Sequence, residues 1–186
     1  MSLKIIIGPM FSGKTTYLLS EIEKYKDYKI LCINHRNDNL RYEIEMDAFR
    51  THDNKFYSSL MLNNLQELYF NKELNNYYNE ADIIIIDEGQ FFSDLFKFIY
   101  NALNNHNVNK KFIVAGLKSD YLMRPLGDIC LLLSMSDEII ELFTYCKYCN
   151  NKALFTRLVN KLVSSTGIYI GGGEHYESVC RNHLKY

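Results

Sequence analysis

The sequence predicts an α/β fold, a parallel sheet with flanking helices followed by a small metal-binding domain. Three observations predict it. Short apolar runs alternate with amphipathic stretches, a glycine-rich segment joins the first run to the first helix, and Cys and His pairs gather toward the C-terminal end.

Leu3 to Ile7 is an apolar run ending at Gly8 and reads as a buried parallel strand. Thr15 to Lys26 sets Tyr17, Leu18, Ile22 and Tyr25 at helical spacing, and Lys29 to Ile33 reads as a second strand, completing a strand–helix–strand unit. Asn34 to Phe56 is polar and weakly periodic, a long connection of the kind that carries function in a compact domain. Leu60 to Tyr78 predicts a helix with Leu62, Leu65, Leu68 and Tyr69 on one side. The isoleucine run within Asp82 to Ile86 predicts a strand closed by Asp87-Glu88. Leu95 to Leu103 predicts a helix and Lys111 to Leu117 another strand. The texture changes after Asp137. Residues 1–140 are expected to form an α/β domain and residues 141–186 a small second domain.

The 47% hydrophobic content over 186 residues is enough to bury a core. A net charge of −1 supplies no basic face, so a nucleic-acid partner is not expected. No window is apolar enough to span a membrane and no charged segment leads into a long apolar one, so the expected location is cytoplasmic. The cysteine count is odd, 5, and includes a tight pair, which argues for metal binding over disulfides. Cys32 and Cys130 lie on apolar segments and read as core residues.

Gly8-Pro9-Met10-Phe11-Ser12-Gly13-Lys14-Thr15 fits G-x-x-x-x-G-K-[ST] without a mismatch. Gly8 and Gly13 permit backbone angles that aim successive N–H groups at phosphate oxygens. Lys14 brings a positive charge to the β- and γ-phosphates of ATP, and the Thr15 hydroxyl can ligate Mg²⁺. The following helix offers its positive end to the anion. With a strand before and a helix after, this is a P-loop NTPase-like arrangement.

Asp87 and Glu88 stand at the C-terminal end of their strand, where ligands sit in open α/β sheets. Asp87 is placed to complete the Mg²⁺ site with Thr15, and Glu88 to act as general base on the attacking nucleophile. A glutamate in water titrates near ~4.3, so orienting the nucleophile is expected to be much of its work. The acidic pair alone serves a kinase and an ATPase equally well.

Cys146-x-x-Cys149 and Cys180-x-x-His183 are two pairs at two-residue spacing. Three thiolates and one imidazole suit tetrahedral Zn²⁺, and with all four positions filled by protein the site reads as structural.

Together these segments resemble the zinc-containing thymidine kinase family of animals, many bacteria and large DNA viruses. The matching segments are Gly8 to Thr15, Asp87-Glu88-Gly89-Gln90-Phe91-Phe92, the Cys146/Cys149 pair, and Ile170-Gly171-Gly172 through Tyr176 to Cys180-Arg181-Asn182-His183. They fall in the family's order and cover essentially the whole chain. The resemblance implies transfer of the γ-phosphate of ATP to the 5′-hydroxyl of thymidine, with Glu88 in the base position and Gln90 and Arg41 near the ATP phosphates. It implies a nucleoside pocket lined by Met10, Phe91, Leu117 and Tyr121, with Thr156 near the thymine methyl. It further implies a lasso-like loop, Gly167, Ile168, Tyr169, Ile170 and Gly171 with Tyr176, closing over the base through backbone groups. A homotetramer and feedback inhibition by thymidine triphosphate (dTTP) also follow from the resemblance. Lys118, Leu126 and the contracted Thr156-Arg157-Leu158 depart from the family pattern and bear on the pocket's shape.

Closing a glycine-rich flap over the acceptor makes physical sense, because water admitted to the site would hydrolyse ATP instead. Two other readings share part of these residues. A small P-loop ATPase uses Lys14, Thr15, Asp87 and Glu88 but needs no paired metal ligands around a flap. A zinc-ribbon nucleic-acid module needs a basic face that the composition does not supply.

Overall fold

The computed structural model describes residues 1–39, 48–50, 56–107, 109–159 and 175–184. Its strands are β1 (Ser2–Ile7), β2 (Ile30–His35), β3 (Ala48–Arg50), β4 (Phe56–Ser58), β5 (Leu60–Leu62), β6 (Ile83–Ile86), β7 (Lys111–Gly116), β8 (Glu138–Glu141), β9 (Thr144–Tyr145), β10 (Lys152–Ala153), β11 (Phe155–Leu158) and β12 (Tyr176–Val179). The helices are α1 (Lys14–Lys24), α2 (Arg36–Asn39), α3 (Glu67–Phe70), α4 (Lys72–Glu80), α5 (Leu95–Leu103) and α6 (Ile129–Leu132).

Six strands form one parallel sheet in the order β5-β2-β6-β7-β1-β8. A parallel sheet with helices on both faces has no wet side, so its strands carry apolar residues without alternation. Ile83 to Ile86 are all buried for this reason, and neighbouring residues serve opposite faces. Ile84 and Ile86 join Leu3, Ile5, Phe112 and Val114 beneath α5, with Phe98 and Ile99. Ile83 and Ile85 join Ile6, Ile113 and Ala115 beneath α1, with Leu18 and Ile22.

β1 also carries a lysine in its buried register. Lys4 is only 4% exposed, and its Nζ donates to both carboxylate oxygens of Glu21 at 3.2 Å. It also pairs with Glu138 at 3.0 Å. One cation thus ties β1 to α1 and to β8.

The single helix expected over Leu60 to Tyr78 is not what forms. Leu60–Leu62 is strand β5, parallel to β2, and the helical part is split into α3 and α4. Asn71 makes the break, because its Oδ1 accepts from the N–H groups of Glu73 and Leu74 and caps α4. The three-residue spacing of Leu62, Leu65 and Leu68 holds, since all are buried, but it arises from a strand followed by a turn. Tyr69, expected on the same side, is 40% exposed.

The elements over Thr15 to Lys26, Lys29 to Ile33 and Asp82 to Ile86 form within two residues of expectation, and Leu95–Leu103 forms as read. After β8 the chain makes two short antiparallel pairs, β9 with β10 and β11 with β12. These enclose a separate apolar cluster of Cys146, Ala153, Val179, Cys180 and Leu184. Among the described residues no helix is long and apolar enough to cross a membrane.

Candidate active site and metal centre

The glycine-rich loop runs from the end of β1 into α1. A Cβ on Gly8 would stand 2.4 Å from Ser12 Oγ and 2.9 Å from the Leu142 carbonyl oxygen, and the backbone contact favours glycine there. Gly13 has φ +83°, in the left-handed region that glycine adopts without strain. Phe11 shares that region at φ 62° despite its Cβ. Left-handed residues inside a tight loop turn successive N–H groups toward one centre, which forms an anion-binding nest. Lys14 is buried, and its Nζ donates to the carbonyls of Pro9 at 2.9 Å and Gly8 at 3.3 Å.

β7 separates β6 from β1 in the sheet. Asp87, just past β6, still reaches the loop: Thr15 Oγ1 donates to its Oδ2 at 2.8 Å. The other oxygen, Oδ1, accepts from the Glu88 N–H at 2.8 Å. Glu88 takes φ 51°, left-handed, at a cost of roughly 1–2 kcal/mol for a residue with a Cβ. That turn lifts the half-buried Glu88 out of the strand register. Gln90 Nε2 donates to Glu88 Oε2, while Gln90 Oε1 accepts from the Leu117 N–H at 2.9 Å. The buried Gln90 amide therefore spans from Glu88 to the end of β7. Burial, with the Asp87 charge nearby, pushes the Cys32 thiol up to about 12, so it stays a neutral core residue. Cys130, expected in the core, is half-buried, and its Sγ donates to the Lys118 carbonyl.

Met10, Leu117 and Tyr176 are buried in one cluster, with Tyr121, Leu126 and Leu158 packed against it. Four of the expected pocket residues thus meet, drawn from three separate segments. The Phe91 ring lies 5.7 Å from the His35 ring. Thr156 is buried and accepts from the Met10 N–H at 3.0 Å. Arg41 and the run Gly167, Ile168, Tyr169, Ile170 and Gly171 lie outside the described residues.

His35 carries no motif, yet it is 5% exposed and its tautomer is fixed. Nδ1 accepts from the Asn37 N–H at 3.1 Å, so Nε2 is the nitrogen that donates to the Asn63 carbonyl, also at 3.1 Å. Its ring also meets Phe92 edge-on at 4.8 Å.

Cys146, Cys149, Cys180 and His183 bring one ligand atom each to within 4.8 Å of one another. A tetrahedral zinc site requires about 3.8 Å between sulfurs and about 3.6 Å from sulfur to nitrogen. Cys149 and Cys180 Sγ are 3.7 Å apart, and His183 Nδ1 is 3.3 to 3.6 Å from the three sulfurs. The donor set and its spacing therefore fit a structural metal, and zinc by its chemistry. Beside it, Glu177 gathers Lys147, Tyr148 and Arg157. Burial alone would raise the Glu177 carboxyl, but these donors outweigh it and hold it at about 2. Arg157 also donates to the His183 carbonyl at 3.0 Å. No sequence motif marks Glu177, because its partners come from a separate strand and a turn.

Comparison with known proteins agrees with this architecture. The thymidine kinase family model matches residues 1–184. The chain is 37% identical over 190 residues to the thymidine kinase of Choristoneura fumiferana entomopoxvirus, covering 97% of this chain and 95% of that one. It is 34% identical over 180 residues to the thymidine kinase of Myxoma virus (strain Uriarra), covering 95% and 92%. Thymidine kinase a of Arabidopsis thaliana is 35% identical over 180 residues, covering 96% of this chain and 73% of the plant protein. With a match across nearly the whole chain, the protein belongs to the thymidine kinase family.

Proposed function

We propose that this enzyme transfers the γ-phosphate of ATP to the 5′-hydroxyl of thymidine, giving thymidine 5′-phosphate for DNA synthesis. The observation that carries this reading is the meeting of Thr15 with Asp87 at 2.8 Å, with Glu88 next in the chain. It sets the phosphate loop against a carboxylate turn, and the family supplies the acceptor.

In this reading Gly8 to Lys14 hold the β- and γ-phosphates through backbone N–H groups and the Lys14 ammonium. Thr15 and Asp87 hold the Mg²⁺ that accompanies ATP and offsets phosphate charge. The acceptor lies against Met10, Leu117, Tyr121 and Tyr176, with Thr156 and Phe91 at the pocket's margin. Glu88 orients the 5′-hydroxyl and takes its proton as oxygen bonds to the γ-phosphorus. The bond from that phosphorus to the β,γ-bridging oxygen breaks, and ADP leaves. Gln90, held by the Leu117 N–H, keeps the Glu88 carboxylate aimed. Arg41 and the stretch from Gly167 to Gly171 belong to the same reading as phosphate contact and base-closing loop.

We also divide the chain near residue 140 into a nucleotide-binding domain and a small zinc domain. The separate apolar cluster around Cys146 and Cys180 supports this division. The family reading supplies a cytoplasmic homotetramer inhibited by dTTP. A coupled assay of ADP release, with nucleosides offered one at a time, tests the function. Thymidine should give the fastest release, ahead of cytidine and purine nucleosides. Equal release without any nucleoside would establish an ATPase instead.

A further inference from the structure

Thr156 and Ser178 stand opposite each other in the β11–β12 pair. Both engage the backbone of one residue of the phosphate loop, Met10, which lies 168 positions from Ser178 in the chain. Thr156 Oγ1 accepts from the Met10 N–H at 3.0 Å, and Ser178 Oγ donates to the Met10 carbonyl. Both side chains are 7% exposed.

Side chains alternate across a strand, so the next pair, Arg157 and Glu177, faces the other way. On that side Arg157 bonds Glu177 and the His183 carbonyl, and Glu177 takes Lys147 and Tyr148. The hairpin has the phosphate loop on one face and the metal-ligand cluster on the other.

We infer that Ser178, together with Thr156, is a positioning residue of the phosphate loop: the two hold the peptides on either side of the Met10 Cα and thereby fix the left-handed turn at Phe11. This rests on the phosphate-binding reading above. Phe11 follows Met10 directly and holds φ 62° against the preference of any residue with a Cβ. Such a conformation persists only where its surroundings over-determine it. The Ser12 N–H closes onto the Pro9 carbonyl at 3.4 Å, a long bond that sets the bend weakly. Met10, bracketed on both its N–H and its carbonyl by the buried Thr156 and Ser178 of the β11–β12 pair, is the firm anchor. Its N–H is committed to Thr156 and so is not one of the groups that would face an anion. Without the anchor the loop spends part of its time in relaxed forms, and nucleotide affinity falls by the competent fraction.

The test uses the full chain with its metal, ADP as the probe, and steady-state kinetics beside calorimetry. Ser178→Ala should raise the Kd for ADP roughly 5- to 10-fold, the range a single hydrogen bond supports. KM for ATP should rise with it. Ser178→Thr, which keeps the hydroxyl, should restore ADP affinity. Should Ser178→Ala fail to fold, Thr156→Val reads the same residue from its N–H side and should weaken ADP in the same direction. An unchanged Kd for ADP in these variants, with only Tm lowered, overturns the inference, provided Lys14→Ala weakens ADP. Undiminished ADP binding by Lys14→Ala overturns the phosphate-loop reading and this inference with it.

Discussion

Thr15 and Asp87 are 72 positions apart in the chain and joined by a 2.8 Å hydrogen bond that passes over the end of β7. In the proposed reaction this hydroxyl and this carboxylate are the protein's share of a magnesium site. Asp87→Asn should raise the Mg²⁺ concentration for half-maximal rate by roughly tenfold or more, since it removes the charge while keeping the shape. A magnesium titration of ADP release checks this, and an unchanged midpoint would remove Asp87 from the metal.

Glu88→Gln preserves the side-chain volume beside Gln90 and removes the proposed base. General-base loss costs about 10²- to 10⁴-fold, so kcat should fall in that range. ADP affinity should stay within about 2-fold, because the phosphate loop is untouched. Near wild-type turnover would show that another group accepts the proton.

Cys180→Ser removes one of four closely spaced ligands. Bound zinc should fall well below one per chain by elemental analysis. Tm should drop by more than about 5 °C, since a structural site contributes folding free energy directly. Stoichiometric zinc in this variant would contradict the cluster as a metal centre.

His35 predicts how stability responds to acid. Burial pushes its imidazole below the ordinary value, outweighing the Asn63 carbonyl and the Asp94 and Glu67 charges that favour the cation. The unfolded chain takes up a proton near 6.5, the native protein only at lower pH. Stability held by neutral His35 is therefore complete above about 6.5 and is lost as pH falls through the depressed native value. Protonation of Nδ1 would also break the bond from the Asn37 N–H. Tm should decline on acidification below about pH 6.5, and His35→Gln should flatten that decline. An identical pH profile in the variant would place the titration elsewhere.

Lys4 and Glu21 form a buried pair, 4% and 5% exposed. Lys4→Met strands the Glu21 carboxylate, and removing one partner of such a pair costs roughly 3–5 kcal/mol. Adding Glu21→Leu should recover most of that loss, because an apolar pair of similar volume is tolerated there. Urea unfolding of the two variants measures it. Equal stabilities would mean the single variant leaves no uncompensated charge.

The chemistry of this chain is written locally, so much of it is read from sequence. The phosphate loop is one uninterrupted octet from Gly8 to Thr15. The isoleucines before Asp87 announce a strand buried on both faces, and the Cys and His pairs declare their ligand number by spacing. The helix expected over Leu60 to Tyr78 failed because periodicity cannot tell a strand leading into a turn from one continuous helix when burial falls at matching intervals. Only pairing with β2 decides it.

Distance in the chain set the other limit. That Asp87 reaches Thr15 over an intervening strand, that Gln90 ties Glu88 to Leu117, and that Thr156 and Ser178 bracket Met10 are results of strand order and register. The same holds for the buried roles of Lys4, His35 and Glu177. Residue types and short spacings fixed which groups could do chemistry. Which of them touch was settled by tertiary packing, because a hydrogen bond between remote segments depends on the sheet that brings them together and leaves no periodic trace in either segment.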